Sequence, residues 1–322
     1  MSFDFIELEY KDDVLLPLLE FLMGVVPLEC VNNLYQNFST LKINYNLNSS
    51  FLDEDVVDIV DLQMGSYDVI ENKIEINKKG LKFIWNYLYE HSNFSKLFVN
   101  EVSFVLLHEL CHMASSSYDD ENDIIMCGFD VYSVTDDSYF MHRGLVEGMT
   151  EYISYMGISN TKVPSQYYVE FLFVNQLCQI VGKDVLIESY FKHLGTNKIE
   201  SVLSKLDCRD DAFKNAQEFF IRFEDNYQLR HQNIRQSLLA NIQSSLIYYY
   251  MCKLNQDIKS NNMTYDSIME SLYNFEQSLV VPYKLLFIKK DPSNYIGLER
   301  VINEFYKFKE SIVRDYGVIK VK

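Results

Sequence analysis

The chain has 322 residues, 48% hydrophobic and 23% charged, a balance that supports a sizeable core and excludes a disordered or linker-dominated protein. Its formal net charge of −17 argues against nucleic acid and anionic membrane surfaces as partners, since both are bound through clustered Lys and Arg. The opening residues carry Asp4, Glu7 and Glu9 where a signal peptide carries basic residues, and the apolar stretch from Val14 to Val31 is broken by Pro17, Glu20, Gly24, Pro27 and Glu29. The six cysteines (Cys30, Cys111, Cys127, Cys178, Cys208, Cys252) are scattered without a CxxC pair, so the expectation is a cytoplasmic protein with free thiols and no membrane segment.

In chain order, residues 12–36 are expected to form a helix or two, interrupted by the prolines. Strand patterns follow between about 40 and 80: Leu41 to Tyr45 alternates, Lys73 to Asn77 alternates more cleanly, and Tyr67 to Ile70 before Glu71-Asn72 predicts that the latter strand belongs to a hairpin. From about residue 81 helical periods dominate. Gln228 to Asp257 reads as one long helix with Ile234, Leu238, Leu239, Ile242, Leu246 and Tyr249 on one face. The predicted class is α+β, mostly α, with a small N-terminal sheet. A mixed part over residues 1–205 is followed by a helical region over 206–322.

The chemistry concentrates in His108-Glu109-Leu110-Cys111-His112. On a helix, positions i and i+4 share one face, so His108 and His112 can direct ring nitrogens at one ion, while Glu109 reaches a water beside it. Asn100 is the expected N-cap with Glu101 in the first turn, and the apolar run Val102 to Leu107 predicts a buried helix. The expected metal is Zn²⁺, which in a catalytic site takes a third protein ligand and keeps one position open.

Several residues compete for the third place. The Gly and third His that metzincins place after the motif are missing from Met113 to Tyr118. Cys127 lacks the sequence context of peptide deformylases, and Asp130 lacks the spacing of aspzincins. Glu147 is preferred, because Glu151 follows at i+4: one carboxylate can bind metal while the other accepts the outer N–H of a ligating histidine. Gly144 and Gly148 flank it, and apolar Tyr152, Ile153 and Met156 follow.

Together, His108-Glu109-Leu110-Cys111-His112 and Glu147-Gly148-Met149-Thr150-Glu151 resemble the gluzincin pattern of thermolysin-like and aminopeptidase-like zinc peptidases. The stretch from Tyr168 through Ile180 to Phe191 is similar to helices in uncharacterised gluzincin-like proteins of low-GC Gram-positive bacteria. The resemblance covers roughly residues 65–205. It departs at Val146, where gluzincins commonly have Asn, and in a longer gap between His112 and Glu147, for which an Asp- and Ser-rich insertion from Tyr118 to Tyr139 accounts.

The resemblance implies a zincin-like metallopeptidase fold and hydrolysis of a peptide or protein substrate by a metal-activated water, with His108, His112 and Glu147 as ligands, Glu109 as base and Glu151 behind a ligand. It also implies an oxyanion-stabilising group shortly before the third ligand, for which Tyr139 is the first candidate and His142 the second. An edge strand beside the active-site helix, supplied by the Tyr67–Asn77 hairpin, is a further implication. The competing expectations are a non-catalytic module that keeps zinc or only the fold, and a regulatory protease with a single protein substrate. An intact Glu109 favours an enzyme, since a binding module has no use for a general base.

Overall fold

In the computed structural model the chain is α+β and mostly helical; residues 10–44, 64–89, 91, 93–133, 142–163, 165–229, 236–260, 263–281 and 297–317 are described. In chain order the elements are α1 (Tyr10–Val25), a 3₁₀ turn (Leu28–Cys30), α2 (Val31–Thr40), β1 (Lys42–Asn44), β2 (Gly65–Asp68), β3 (Lys73–Ile76), α3 (Lys78–Leu88) and α4 (Phe94–Ala114). There follow β4 (Ser116–Asp119), β5 (Ile124–Cys127), β6 (Asp130–Ser133), α5 (Arg143–Gly157), α6 (Tyr168–Val181), α7 (Lys183–Phe191), α8 (Asn197–Leu206), α9 (Ala212–Gln228), α10 (Gln236–Lys259), α11 (Tyr265–Ser278) and α12 (Leu298–Gly317).

These elements gather into two compact units. The first takes Met1–Met141, Met149–Tyr168 and Ile187–Gly195, and the second His142–Gly148, Val169–Leu186 and Thr196–Lys322. The division expected near residue 205 falls inside the second unit. Helix α5 runs unbroken through Gly148 and Met149, so its first residues belong to one unit and the remainder to the other.

The first unit is built around α4, which packs against α1, α2, α3 and β2 and buries Phe98, Phe104, Leu106, Leu107, Leu110, Cys111 and Met113. Among the described residues α4 is the one helix long and apolar enough to cross a membrane, yet 67% of that stretch is buried inside the protein, as in a core helix. The N-terminal sheet has the order β1-β3-β2. β1 lies parallel to β3, and β2 pairs antiparallel with β3 in the register Gly65↔Ile76 to Asp68↔Lys73, which is the anticipated hairpin. Its turn is set locally: the Asp68 carboxylate accepts the Glu71 N–H at 2.9 Å, and Asn72 takes a left-handed φ of 47° that Asn tolerates better than most residues. Ile74 and Ile76 point to the core, and Asn77 caps α3 by accepting the Lys79 N–H at 2.9 Å.

Three sequence expectations change here. Helix α4 begins at Phe94, not near Asn100, because Phe94 and Phe98 pack edge-on against Trp85 at 4.4 and 5.6 Å and carry the helix two turns upstream. Residues 116–133 break the helical run expected from about residue 81: they form the antiparallel sheet β4-β5-β6, with Asp119 accepting the Glu121 and Asn122 N–H groups in one turn and the two-residue connection Gly128-Phe129 in the other. Pro17 is accommodated inside α1, which stops instead before Pro27.

The second unit is helical. Phe173 meets Phe223 at 5.7 Å, and Tyr250 stacks on Phe275 at 3.8 Å, with Phe305 5.5 Å from Phe275. Buried amides tie the helices: Gln176 donates to the Ser278 carbonyl at 2.8 Å, and Gln243 accepts the Val280 N–H at 2.8 Å. The long helix expected from Gln228 is two: α9 ends at Gln228, with Leu229 leaving helical geometry, and α10 starts at Gln236. Leu239, Ile242, Leu246 and Tyr249 do form its buried face, whereas Ile234 lies outside the described residues.

Candidate metal centre

His108 and His112 sit one turn apart on α4 and point the same way, as the helical period demands. Their Nε2 atoms are 3.2 Å apart. Two atoms each bound at 2.0–2.1 Å to a tetrahedral zinc lie about 3.3 Å apart, so the pair is already spaced for one ion. Glu147, on α5, completes the group: one ligand atom from each of His108, His112 and Glu147 lies within 4.8 Å of the others. No other group of three His, Cys, Asp or Glu side chains among the described residues meets that condition.

Glu151 explains why Nε2 is the nitrogen of His108 that faces His112. Its carboxylate oxygen is 2.9 Å from His108 Nδ1, and both side chains are buried. A carboxylate there accepts a hydrogen bond from Nδ1–H, which holds the proton on Nδ1 and leaves the lone pair on Nε2. Glu147 is one turn before Glu151 on the same unbroken helix, so placing one carboxylate against His108 also places the other. Gly148 between them lets the backbone of α6 approach: a Cβ there would lie 2.8 Å from the Glu170 carbonyl oxygen. Arg143, at the start of α5, is 3.9 Å from Glu147 and half-exposed.

Glu109 is 5% exposed and borders the edge strand β2. The contact is specific to Gly65, because a Cβ built there would be 2.7 Å from Glu109 Oε1 and 3.0 Å from its Cγ. A side chain at 65 therefore displaces the flexible carboxylate. Cys111, inside the motif, faces the core, and burial pushes its thiol well above the ordinary range, so it behaves as a small apolar side chain.

The donor set fits a divalent ion. Two imidazoles and one carboxylate, all but His112 buried, form a mixed N/O set of the kind zinc takes. The alternative third ligands stand elsewhere. Cys127 and Asp130 face each other across β5 and β6, and neither joins the group. His142 is 3.4 Å from the Thr196 hydroxyl, which donates to Glu200 at 2.6 Å. Tyr139 lies outside the described residues.

Two further side chains bear on the site, Tyr167 and the Glu101 expected in the first turn of the motif helix. Tyr167 lies flat on His108, ring centroids 5.5 Å apart and planes 11° from parallel. Glu101, two turns before His108 on α4, is 3% exposed and accepts the N–H groups of Lys162 and Val163, the latter at 3.1 Å; burial pushes its carboxyl above the usual range against the pull of those donors. One among 24 tyrosines carries no sequence signal; Gly65 lies just before the hairpin expected from Tyr67, and a glycine in a strand is the sort of residue that marks a close approach. Compared with known protein families, curated proteins and solved structures, the chain gives no match.

Proposed function

We propose that the protein is a zinc-dependent peptidase of gluzincin type on a zincin-like fold, acting in the cytoplasm on a peptide or protein. The observation that carries this reading is the convergence of His108, His112 and Glu147 within 4.8 Å, with Glu109 directly after the first ligand and Glu151 behind it. His108 through Nε2, His112 through Nε2 and Glu147 through a carboxylate oxygen would hold the ion. When bound, zinc supplies Lewis-acid polarisation of a carbonyl and a water of lowered pKa.

The chain's own residues do the remaining work. Glu109 takes a proton from the attacking water and returns it to the leaving amine, a role its burial and its place beside the ligands suit. Glu151 keeps the His108 Nδ1–H in place throughout. Strand β2 is an edge of its sheet among the described residues and runs past Glu109 at Gly65, so an extended chain added to it would cross the base. The cytoplasmic assignment is supported by six cysteines that are all free.

Replacing Glu109 by Gln keeps the side-chain shape and removes the basicity. Glu109→Gln is expected to retain zinc and to lose peptide hydrolysis by at least about 100-fold, the usual scale for a general base. The check compares parent and variant on a peptide library and on unfolded proteins, with zinc content measured in both. Equal turnover by the two would remove Glu109 from the mechanism, and no turnover by a zinc-loaded parent would favour a non-catalytic zinc module.

A further inference from the structure

We propose that Tyr167 is a positioning residue of the metal centre, one that holds the His108 ring by its face so that Nε2 stays aimed at the ion. The proposal rests on the metal-centre reading but not on peptidase activity. A histidine ring turns about a terminal torsion that is broad and roughly two-fold, so two constraints are needed to define it. Glu151 supplies one, at the ring edge, through Nδ1. Tyr167 supplies the other, its ring 11° from parallel and 5.5 Å away by centroids. His112 meets His108 at 70°, an edge contact that leaves this face to Tyr167.

The placement of Tyr167 is itself built from α4. Glu101 lies seven residues before His108, two turns up the same side of the helix. Its buried carboxylate fastens the backbone N–H groups of Lys162 and Val163. Ser165 then accepts the Tyr167 N–H at 3.0 Å, and α6 begins at the next residue. The helix that carries the ligand therefore ties down, through a buried acid, the segment that returns an aromatic ring to that ligand. A surface tyrosine touching a histidine by chance has no need of such an anchor.

The test compares the parent with Tyr167→Phe, which keeps the ring, and Tyr167→Leu, which keeps apolar bulk without it. Zinc affinity is measured by chelator competition, and the His108 ring-proton shifts are measured by NMR in metal-free protein. Tyr167→Phe is expected to bind zinc within about twofold of the parent. Tyr167→Leu is expected to bind it about tenfold more weakly, the lower end of effects seen when the supports of metal ligands are removed. The His108 ring protons should move downfield in Tyr167→Leu alone, as the aromatic ring current is lost. A melting curve of each metal-free variant shows that the fold is retained; if Tyr167→Leu unfolds, Tyr167→Met replaces it with the same expectation. A leucine or methionine variant with parental affinity overturns the proposal, as does a phenylalanine variant as weak as the leucine one, which would assign the effect to the hydroxyl. A parent that binds no zinc overturns the metal centre as a whole. A zinc-binding parent with an unaffected leucine variant overturns Tyr167 alone.

Discussion

Two buried carboxylates in this chain, Asp207 and Glu151, differ in how fully their oxygens are hydrogen-bonded. Asp207, at the end of α8, has every oxygen occupied: Arg209 donates to both at 2.5–3.0 Å, Asn215 adds a bond at 3.1 Å, and the Tyr248 hydroxyl another at 2.9 Å. Arg209 also stacks over the Tyr248 ring at 4.3 Å. Glu151 gives one oxygen to His108, and its other oxygen has no hydrogen-bond partner among the described residues. Beside it, two imidazole nitrogens face each other at 3.2 Å. A cluster whose carboxylate oxygens are all hydrogen-bonded is complete as structure, whereas converging imidazole and carboxylate donors beside a buried carboxylate oxygen without a partner are what the proposed metal centre would use.

The sharpest way to break this contrast is to remove the third ligand. Glu147→Ala is expected to weaken zinc binding by several orders of magnitude, while Asp130→Ala, on the β6 strand, leaves it unchanged. Isothermal titration of both variants decides; the reverse pattern would move the ligand to the meander sheet. Glu151→Ala is expected to act less strongly, lowering zinc affinity about 10–100-fold, because it orients a ligand without being one. Competition with a chromophoric chelator measures it.

Asp207→Ala should leave zinc affinity untouched and lower stability instead, by about 1–3 kcal/mol, the cost of hydrogen-bond partners left unsatisfied. Acid should reveal the same group. Burial alone raises the Asp207 pKa, but the bonds from Arg209, Asn215 and Tyr248 outweigh it and hold the carboxyl well below the usual range. A depressed folded-state pKa stabilises the fold at pH values above the unfolded one, near 3.9, and that contribution fades as pH falls below it. The parent should therefore lose more stability than Asp207→Ala between about pH 4 and pH 2 in parallel denaturant titrations. Equal acid sensitivity would mean that the bonds to Asp207 do not hold its carboxyl below the usual range.

How much of this was legible in the sequence depended on the range over which each feature is encoded. The two motifs are helical and local: i, i+4 spacing names His108 with His112, and Glu147 with Glu151, without knowledge of the fold. The hairpin at Tyr67 to Asn77 was legible for the same reason, with alternation and turn residues adjacent. The start of α4 was not, because Asn100 is a fair local cap and only the packing of Phe94 and Phe98 on Trp85 carries the helix past it. Strands β4 to β6 are four residues each, too short for a period to show, and are defined by turn chemistry at Asp119 and Gly128. Tyr167 reaches His108 through a fastening at Glu101 that lies 61 and 62 residues from its partners, a link no window of sequence contains.

The central proposal is a metal ion held by His108, His112 and Glu147. Its most direct test is the zinc content of protein purified without added zinc and again after zinc loading and dialysis, for the parent and for His112→Ala. One zinc per parent chain and none in the variant is the predicted result. A parent without zinc after loading, or a variant that keeps a full equivalent, would contradict it.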